Sequence, residues 1–477
     1  MGTGLTDIAD RLTPSAPIEL SFDAQPVATG KKFTTIIGHK ATSGATVADN
    51  TVYQVTNVGN AAAAVAEVAA LAGAGAPILA LVAAFINANL LAGRSNFPAF
   101  RVVLMAHSET AFGTSQAALT AIQNLRSDMI VSPYPAGNSG NVTLLLNFIA
   151  SISGADRDLN GQFGSFATFG SVDVLSTAVL YAINSRGGIV AYLQDTNTAA
   201  ITENGVLTMG SNVITAIPST AGIYPGATIS GTGVPAGALV GTTTLTTATM
   251  VDVNGAPLNA AAAESSESIV FQNVVSQTPA VVAAGHAGAM MASAFPYNPL
   301  QGVQIGGLLL PKKASDLIIV DPNGASEQAL AAGLSPLRPL PGGGIGFIRT
   351  RTTYNLLTDG VTAATAYFDW QDLVVMNDFR ESCYQITQNP PFNGNPGGTK
   401  ASATIAAKLK DEILREAQSF EDQGAFQAVK ALAPQFLVLP STSSRGRFDF
   451  KIPINVLPGL FVIAGNIQGT TSFDFSL

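Results

Sequence analysis

The chain has 477 residues, 47% of them apolar and only 11% charged, with a formal net charge of −8. A disordered chain needs low hydrophobicity and high charge, so this composition excludes one, and the length alone points to about three domains. The negative balance, without any cluster of Lys and Arg, excludes nucleic acid as the main partner, because phosphate binding needs concentrated cations.

Met1–Pro14 carries Asp7, Asp10 and Arg11 and no apolar centre, so it does not read as a signal peptide. Pro14 and Pro17 then keep the backbone out of a helix. Ile18, Leu20 and Phe22 alternate with Glu19, Ser21 and Asp23, the two-residue period of a strand with one apolar face. Lys32–His39 reads as a buried strand rich in β-branched residues.

Ala61–Phe85 holds a single charge, Glu67, and is long enough to cross a bilayer. It is mostly alanine, however, and Gly73, Gly75 and Pro77 interrupt it. Two buried helices, over 61–71 and 77–91, are expected instead, with no membrane insertion. Beyond them the pattern is α/β. Strands are expected at Phe100–Ala106, Met129–Ser132, Gly164–Gly170 and Ile189–Leu193, and helices at Ser115–Leu125, Asn141–Ile152 and Val172–Asn184. Such alternation predicts βαβ units around a mainly parallel sheet.

Between Thr196 and Val275 there is no Lys or Arg, and Thr, Gly, Ala and Val dominate. Short β-prone runs at Ser211–Ile217 and Thr243–Val253 lie between turn signals such as Pro225-Gly226 and Asn254-Gly255, which predicts a small all-β module inserted in a surface loop. A Gly/Ala-rich helix follows from Pro279 to Phe295. From about Ser335 a second region is expected. It has a strand at Gly344–Tyr354 with Arg349 and Arg351 on one face, then helices at Asp372–Gln388 and Thr404–Phe420. The latter places Ile405, Leu409, Ile413, Ala417 and Phe420 at helical spacing. Arg447–Ile454 alternates cleanly, and the chain closes with Phe473, Phe475 and Leu477 alternating with Asp474 and Ser476.

Catalytic chemistry is scarce. His39, His107 and His286 lie on separate elements without Cys or acidic neighbours at metal-ligand spacing. Neither a zinc-protease helix motif, a Walker A loop nor a G-x-S-x-G elbow occurs. Gly342–Gly346 precedes a strand, whereas a dinucleotide loop follows one, so it reads as a turn. Cys383 is alone and excludes an intrachain disulfide; a buried thiol is expected. No enzyme activity and no cofactor or metal are expected.

A lone amphipathic strand at each end needs a sheet edge for its backbone groups. Two such arms on one chain predict that each adds a strand to a neighbouring copy, a heterologous contact that builds rings or helical arrays. The residues of the arms are Ile18, Leu20 and Phe22, and Phe473, Phe475 and Leu477, with hinges at 23–30 and 466–471. Low charge fits a surface largely covered by other subunits.

In order and spacing, Pro17–Asp23, Thr34–Gly38, Ala72–Asn87, Asp128–Pro133, Gly161–Thr168, Ala331–Pro336, Arg349–Tyr354 and Phe368–Asp372 resemble the contractile tail sheath proteins of Mu-like tailed bacteriophages. The resemblance implies a subtilisin-like α/β sheath core (25–195 and 276–334) without a working triad. It further implies an inserted decoration module (196–275), an α+β C-terminal domain (335–466) and assembly arms (1–24 and 467–477). It also implies hexameric rings stacked helically around a tail tube protein, with baseplate and tail terminator proteins as further partners. Such a sheath is assembled in the bacterial cytoplasm, forms part of the virion, and contracts to drive the tube through the host envelope. The charged face of Thr404–Phe420, with Lys408, Asp411, Glu412 and Arg415, is a candidate for facing the tube. Two other classes compete: a subtilisin-like α/β hydrolase using one of the histidines as base, and a surface-layer or adhesin protein suggested by the Thr/Gly-rich insert.

Overall fold

The computed structural model describes residues 32–57, 59–91, 100–113, 116–152, 164–181, 183–195, 200–252, 256–272, 277–292, 299–311, 316–318, 324–356, 362, 369–392, 402–440 and 448–457. In chain order the first part comprises β1 (Thr34–His39), β2 (Thr51–Gln54), α1 (Ala61–Ala72), α2 (Ile78–Leu91), β3 (Phe100–Met105) and α3 (Ala117–Thr120). It continues with β4 (Met129–Val131), α4 (Ser139–Ile152), β5 (Phe166–Ser171), α5 (Leu175–Ala178) and β6 (Gly188–Tyr192). Then come β7 (Ala200–Leu207), β8 (Val213–Thr215), β9 (Thr228–Ser230), β10 (Leu239–Thr243), β11 (Ala248–Val251) and β12 (Glu264–Gln272). The chain returns with α6 (Pro279–Met291), β13 (Gln304–Ile305), α7 (Ala325–Ala331), β14 (Leu334–Pro339) and β15 (Ile345–Phe347). Last are α8 (Trp370–Gln388), α9 (Ala403–Asp422), β16 (Phe426–Gln427), α10 (Val429–Leu432), β17 (Leu437–Pro440), β18 (Phe448–Lys451) and β19 (Asn455–Val456).

Nine strands form the main sheet in the order β13-β15-β14-β6-β5-β4-β1-β3-β2. The six from β14 to β3 are parallel, and antiparallel strands flank them on both sides. Successive residues of a strand point to opposite faces. Ile36, Val102, Leu104, Val131 and Ile189 accordingly enter one core with α1, α2 and α6, while Ile37, Val103, Met105, Ile130 and Val190 enter the other with α4. Both faces are covered, which is why these strands read as unbroken apolar runs. In α6 every residue but Pro279 and Val281 is buried. Gly288 there lies against the backbone carbonyl of Phe85, and any side chain at that position would collide with α2.

The alanine-rich stretch forms α1 and α2 as expected. Its lone charge, Glu67, accepts hydrogen bonds from Tyr53, Thr56 and Asn57 that tie α1 to β2 and the segment after it. Burial alone would raise its carboxyl, but these bonds win and hold it at about 2. Among the described residues no helix is long and apolar enough to cross a membrane.

Some expectations need correction. The helices expected over 115–125 and 172–184 shrink to α3 and α5, because the chain beyond each tightens into i to i+3 bonds: Ile122 to Leu119, Leu125 to Ile122, and Tyr181 to Ala178. The edge strand β2, half-exposed, was not anticipated. Ser335–Pro339 and Ile345–Phe347, assigned from sequence to the C-terminal region, belong to the main sheet, since Leu337, Ile345 and Phe347 complete its first core. The strand expected at Gly344–Tyr354 stops at Phe347, beyond which Ser335 takes up the backbone N–H and C=O of Arg351.

β7 to β12 close into a six-stranded barrel, β10-β11-β8-β7-β12-β9, filled by its own core of Leu207, Ile214, Val240, Met250, Ile269 and Phe271 among others. Closure leaves no strand edge to satisfy. Its first and last strands pair antiparallel, with Ala200 opposite Gln272, so the chain enters and leaves at one place.

After β15, α8 and α9 build a third core with two small sheets, β16–β19 and β17–β18. At its centre Phe379, Phe420 and Phe426 lie 5.4–5.5 Å apart. α8 serves two cores: Trp370, Leu373, Val374 and Met376 pack into the first core of the sheet, and Val375, Phe379 and Cys383 into the third.

Candidate assembly interface

The β17–β18 hairpin is a two-stranded sheet. Its register sets Leu437 opposite Lys451, Val438 opposite Phe450 and Leu439 opposite Asp449. Alternation turns Val438, Phe448 and Phe450 toward the third core, while Leu437 and Leu439 stay 48% and 57% exposed on the other face. Among the described residues neither strand pairs with a third strand. A two-stranded sheet with an exposed leucine face is a template for strand addition. The arm residues Ile18, Leu20, Phe22, Phe473, Phe475 and Leu477, and the hinges at 23–30 and 466–471, lie outside the described residues.

The hairpin rests on α9, which Ser402 caps by accepting a hydrogen bond from the Ile405 N–H at 3.3 Å. Ala406, Leu409, Ile413, Ala417 and Phe420 form its buried stripe. The apolar stripe thus matches the sequence spacing, with Ala406 more buried than Ile405. Lys408, Asp411 and Arg415 are exposed opposite it, and Glu412 pairs with Arg415 one turn on. At the surface such a pair stabilises by about 0.3 kcal/mol, so this face is free to meet a partner or water.

A second set of groups joins the α/β body to α8, and sequence reading missed it. Lys32 pairs with buried Asp378. Arg126 clamps Glu381 through two bonds of 2.5 and 2.8 Å and reaches Asp128 at 3.2 Å. Asp128 in turn accepts the Phe33 N–H at 2.7 Å. Arg349 holds Asp369, at the start of α8, through two bonds of 2.7 Å. Burial pushes Asp378 up to about 6, with Lys32 opposing. Asp372 rises to about 7 through burial, helped by the charge of Asp369 and opposed by Arg349. For Arg126 burial works against the charge, but its carboxylate partners win and keep it ionised. The available signal was the cluster of acids in and just before α8, Asp369, Asp372, Asp378 and Glu381, in a chain so poor in charge.

The histidines are placed structurally. The Nδ1–H of His39 donates to the Ala106 carbonyl at 3.0 Å and that of His107 to the Lys40 carbonyl at 3.1 Å, a reciprocal tie between the ends of β1 and β3. His286 is fully buried on α6, its ring nitrogens without a hydrogen-bond partner among the described residues, edge-on to Phe347 at 5.0 Å. Burial lowers it to about 3, which keeps it neutral. Cys383 is buried in the third core and its thiol is pushed up by burial. No group of three or more His, Cys, Asp or Glu among the described residues is placed to hold a metal ion.

No family model matches the sequence, and no curated protein matches it. Solved structures do. A chain of the contracted helical sheath of the anti-feeding prophage matches at 11% identity and a TM-score of 0.51, covering 97% of this chain and 100% of that one. The chain has the contractile-sheath fold. A chain from the six-fold symmetrised baseplate of the same system matches at 11% identity and a TM-score of 0.50, with 97% and 100% covered. A sheath tail protein from Desulfitobacterium hafniense matches at 10% identity and a TM-score of 0.45, with 89% and 93% covered. The sheath likeness is one of fold, spread end to end over both chains.

Proposed function

We propose that this chain is the structural subunit of a contractile sheath. The observation that carries the reading is the end-to-end fold likeness to the helical sheath of the anti-feeding prophage. The β17–β18 pair supports it, because among the described residues it is a two-stranded sheet with no third strand and its leucine face is exposed. In this reading the α/β body is a subtilisin-like core without catalysis. Hexameric rings stack around a tail tube, and the terminal segments holding Ile18, Leu20, Phe22, Phe473, Phe475 and Leu477 complete the hairpins of adjacent copies. The charged face of α9, with Lys408, Asp411, Glu412 and Arg415, meets the tube. Baseplate and tail terminator proteins bound the sheath at its two ends. The assembly belongs to a phage-type particle put together in the bacterial cytoplasm, and its contraction drives the tube through the host envelope for genome delivery.

Sheath shortening requires subunits to exchange one packing for another while staying linked, which main-chain bonded arms permit. Purified protein examined by negative-stain microscopy should form hollow cylinders or stacked discs; solitary molecules at high concentration would refute the reading. Deleting Met1–Asp23 or Gly469–Leu477 should leave a folded monomer that forms no tubes, and tubes of normal length from either truncation would remove the arms from the mechanism. Charge reversal at Lys408 and Arg415 should abolish docking to the tube without changing helicity. Unaltered docking would free α9 of that role.

A further inference from the structure

Lys32 lies two residues before β1 and two after the hinge expected at 23–30. The backbone at this point is held from two directions. Lys32 is bound to Asp378 on α8, and the Phe33 N–H to Asp128, which Arg126 connects to Glu381 one turn further along the same helix. The side chains of Asp378 and Glu381 are only 3% and 7% exposed, and that of Arg126 18%. These pairs are therefore screened far less than surface ones, and removal of one member strands a charge in the interior.

We propose that this bracket is a mechanical anchor, which fastens the root of the N-terminal segment to α8 so that a pull on that segment is delivered to both cores that α8 serves. The load itself rests on the sheath reading, in which neighbours hold the N-terminal segment; the anchor is a property of the single molecule. β1 alone would pass such a pull only into the main sheet, at its junctions with β3 and β4. Through Asp378 and Glu381 it also reaches Phe379 and Cys383, and with them the core under the β17–β18 hairpin. The point where a chain is pulled and the hairpin where it would accept a neighbour's strand then move as one piece. Burial favours the neutral form of Asp378, and the Lys32 ammonium favours its charge, so the bond is strongest when both groups are ionised.

The test uses the full chain as a monomer, with Lys32→Met, Asp378→Asn and the double substitution. Hydrogen exchange of the amides of residues 33–36 should speed up about tenfold in each single variant, and the double variant should be no faster than either. Trp370, the only tryptophan, is packed against Phe166 at 6.4 Å and reports by its fluorescence that α8 remains seated. When the molecule is pulled between residue 1 and residue 411, the first rupture should come at lower force in all three variants than in the native chain. Unchanged exchange, multiplicative effects in the double variant, or an unchanged rupture force would each overturn the anchor. Failure of the native protein to form tubes would refute the sheath reading and leave these single-molecule results to decide the anchor.

Discussion

Asp372 is a carboxyl out of balance with its surroundings. Half-buried beside Asp369, its carboxyl rises from 3.8 in the unfolded chain to about 7. The folded state therefore binds its proton more tightly than the unfolded state does. Its cost is absent below pH 3.8, grows as pH rises, and is complete above about 7. Asp372→Asn should raise the melting temperature at pH 8 by about 2 °C or more and leave it nearly unchanged at pH 4. Equal shifts at both pH values would show that the carboxyl is not the source. Glu67 runs the other way: with its carboxyl held at about 2, its contribution is full above the unfolded value of 4.5 and fades as pH falls toward 2.

Among elements, α8 is decisive because it closes two interiors at once. Phe420→Ala removes the ring that touches Phe379 and Phe426 and should cost about 3–5 kcal/mol, read as a lower denaturation midpoint. Trp370 emission should follow the same transition, since Phe379 and Trp370 share the helix. Separate transitions for the two signals would show that the cores are independent. The elements legible in the sequence were those whose pattern is local: the apolar runs of β1, β3, β4 and β6, the alanine-rich α1 and α2, and the stripe of α9. β2, with its partly exposed residues, carries no such pattern, and the extents of α3 and α5 were set by bonds to neighbouring turns. The bracket at Lys32, Arg126, Asp378 and Glu381 was illegible for a different reason. Its members lie 255 and 346 positions apart, and only folding brings them together. Arg349 stands out in the sequence, but its pairing with Asp369, 20 positions on, does not, because only the fold brings the two together.

For the molecule as a whole, the barrel is an addition with its own interior. Replacing Ala200–Gln272 with a short linker should leave helicity and Trp370 emission as in the native protein, and tube formation as well under the sheath reading. Loss of the Trp370 signal would mean that the body depends on the barrel. The pairing of Ala200 with Gln272 reaches further than this deletion. Two adjacent strand ends make a socket, to which any self-contained unit whose own ends meet can be grafted. What the molecule displays at that spot can therefore be exchanged in evolution or by engineering, while the two cores of the main sheet and the third core are left as they are.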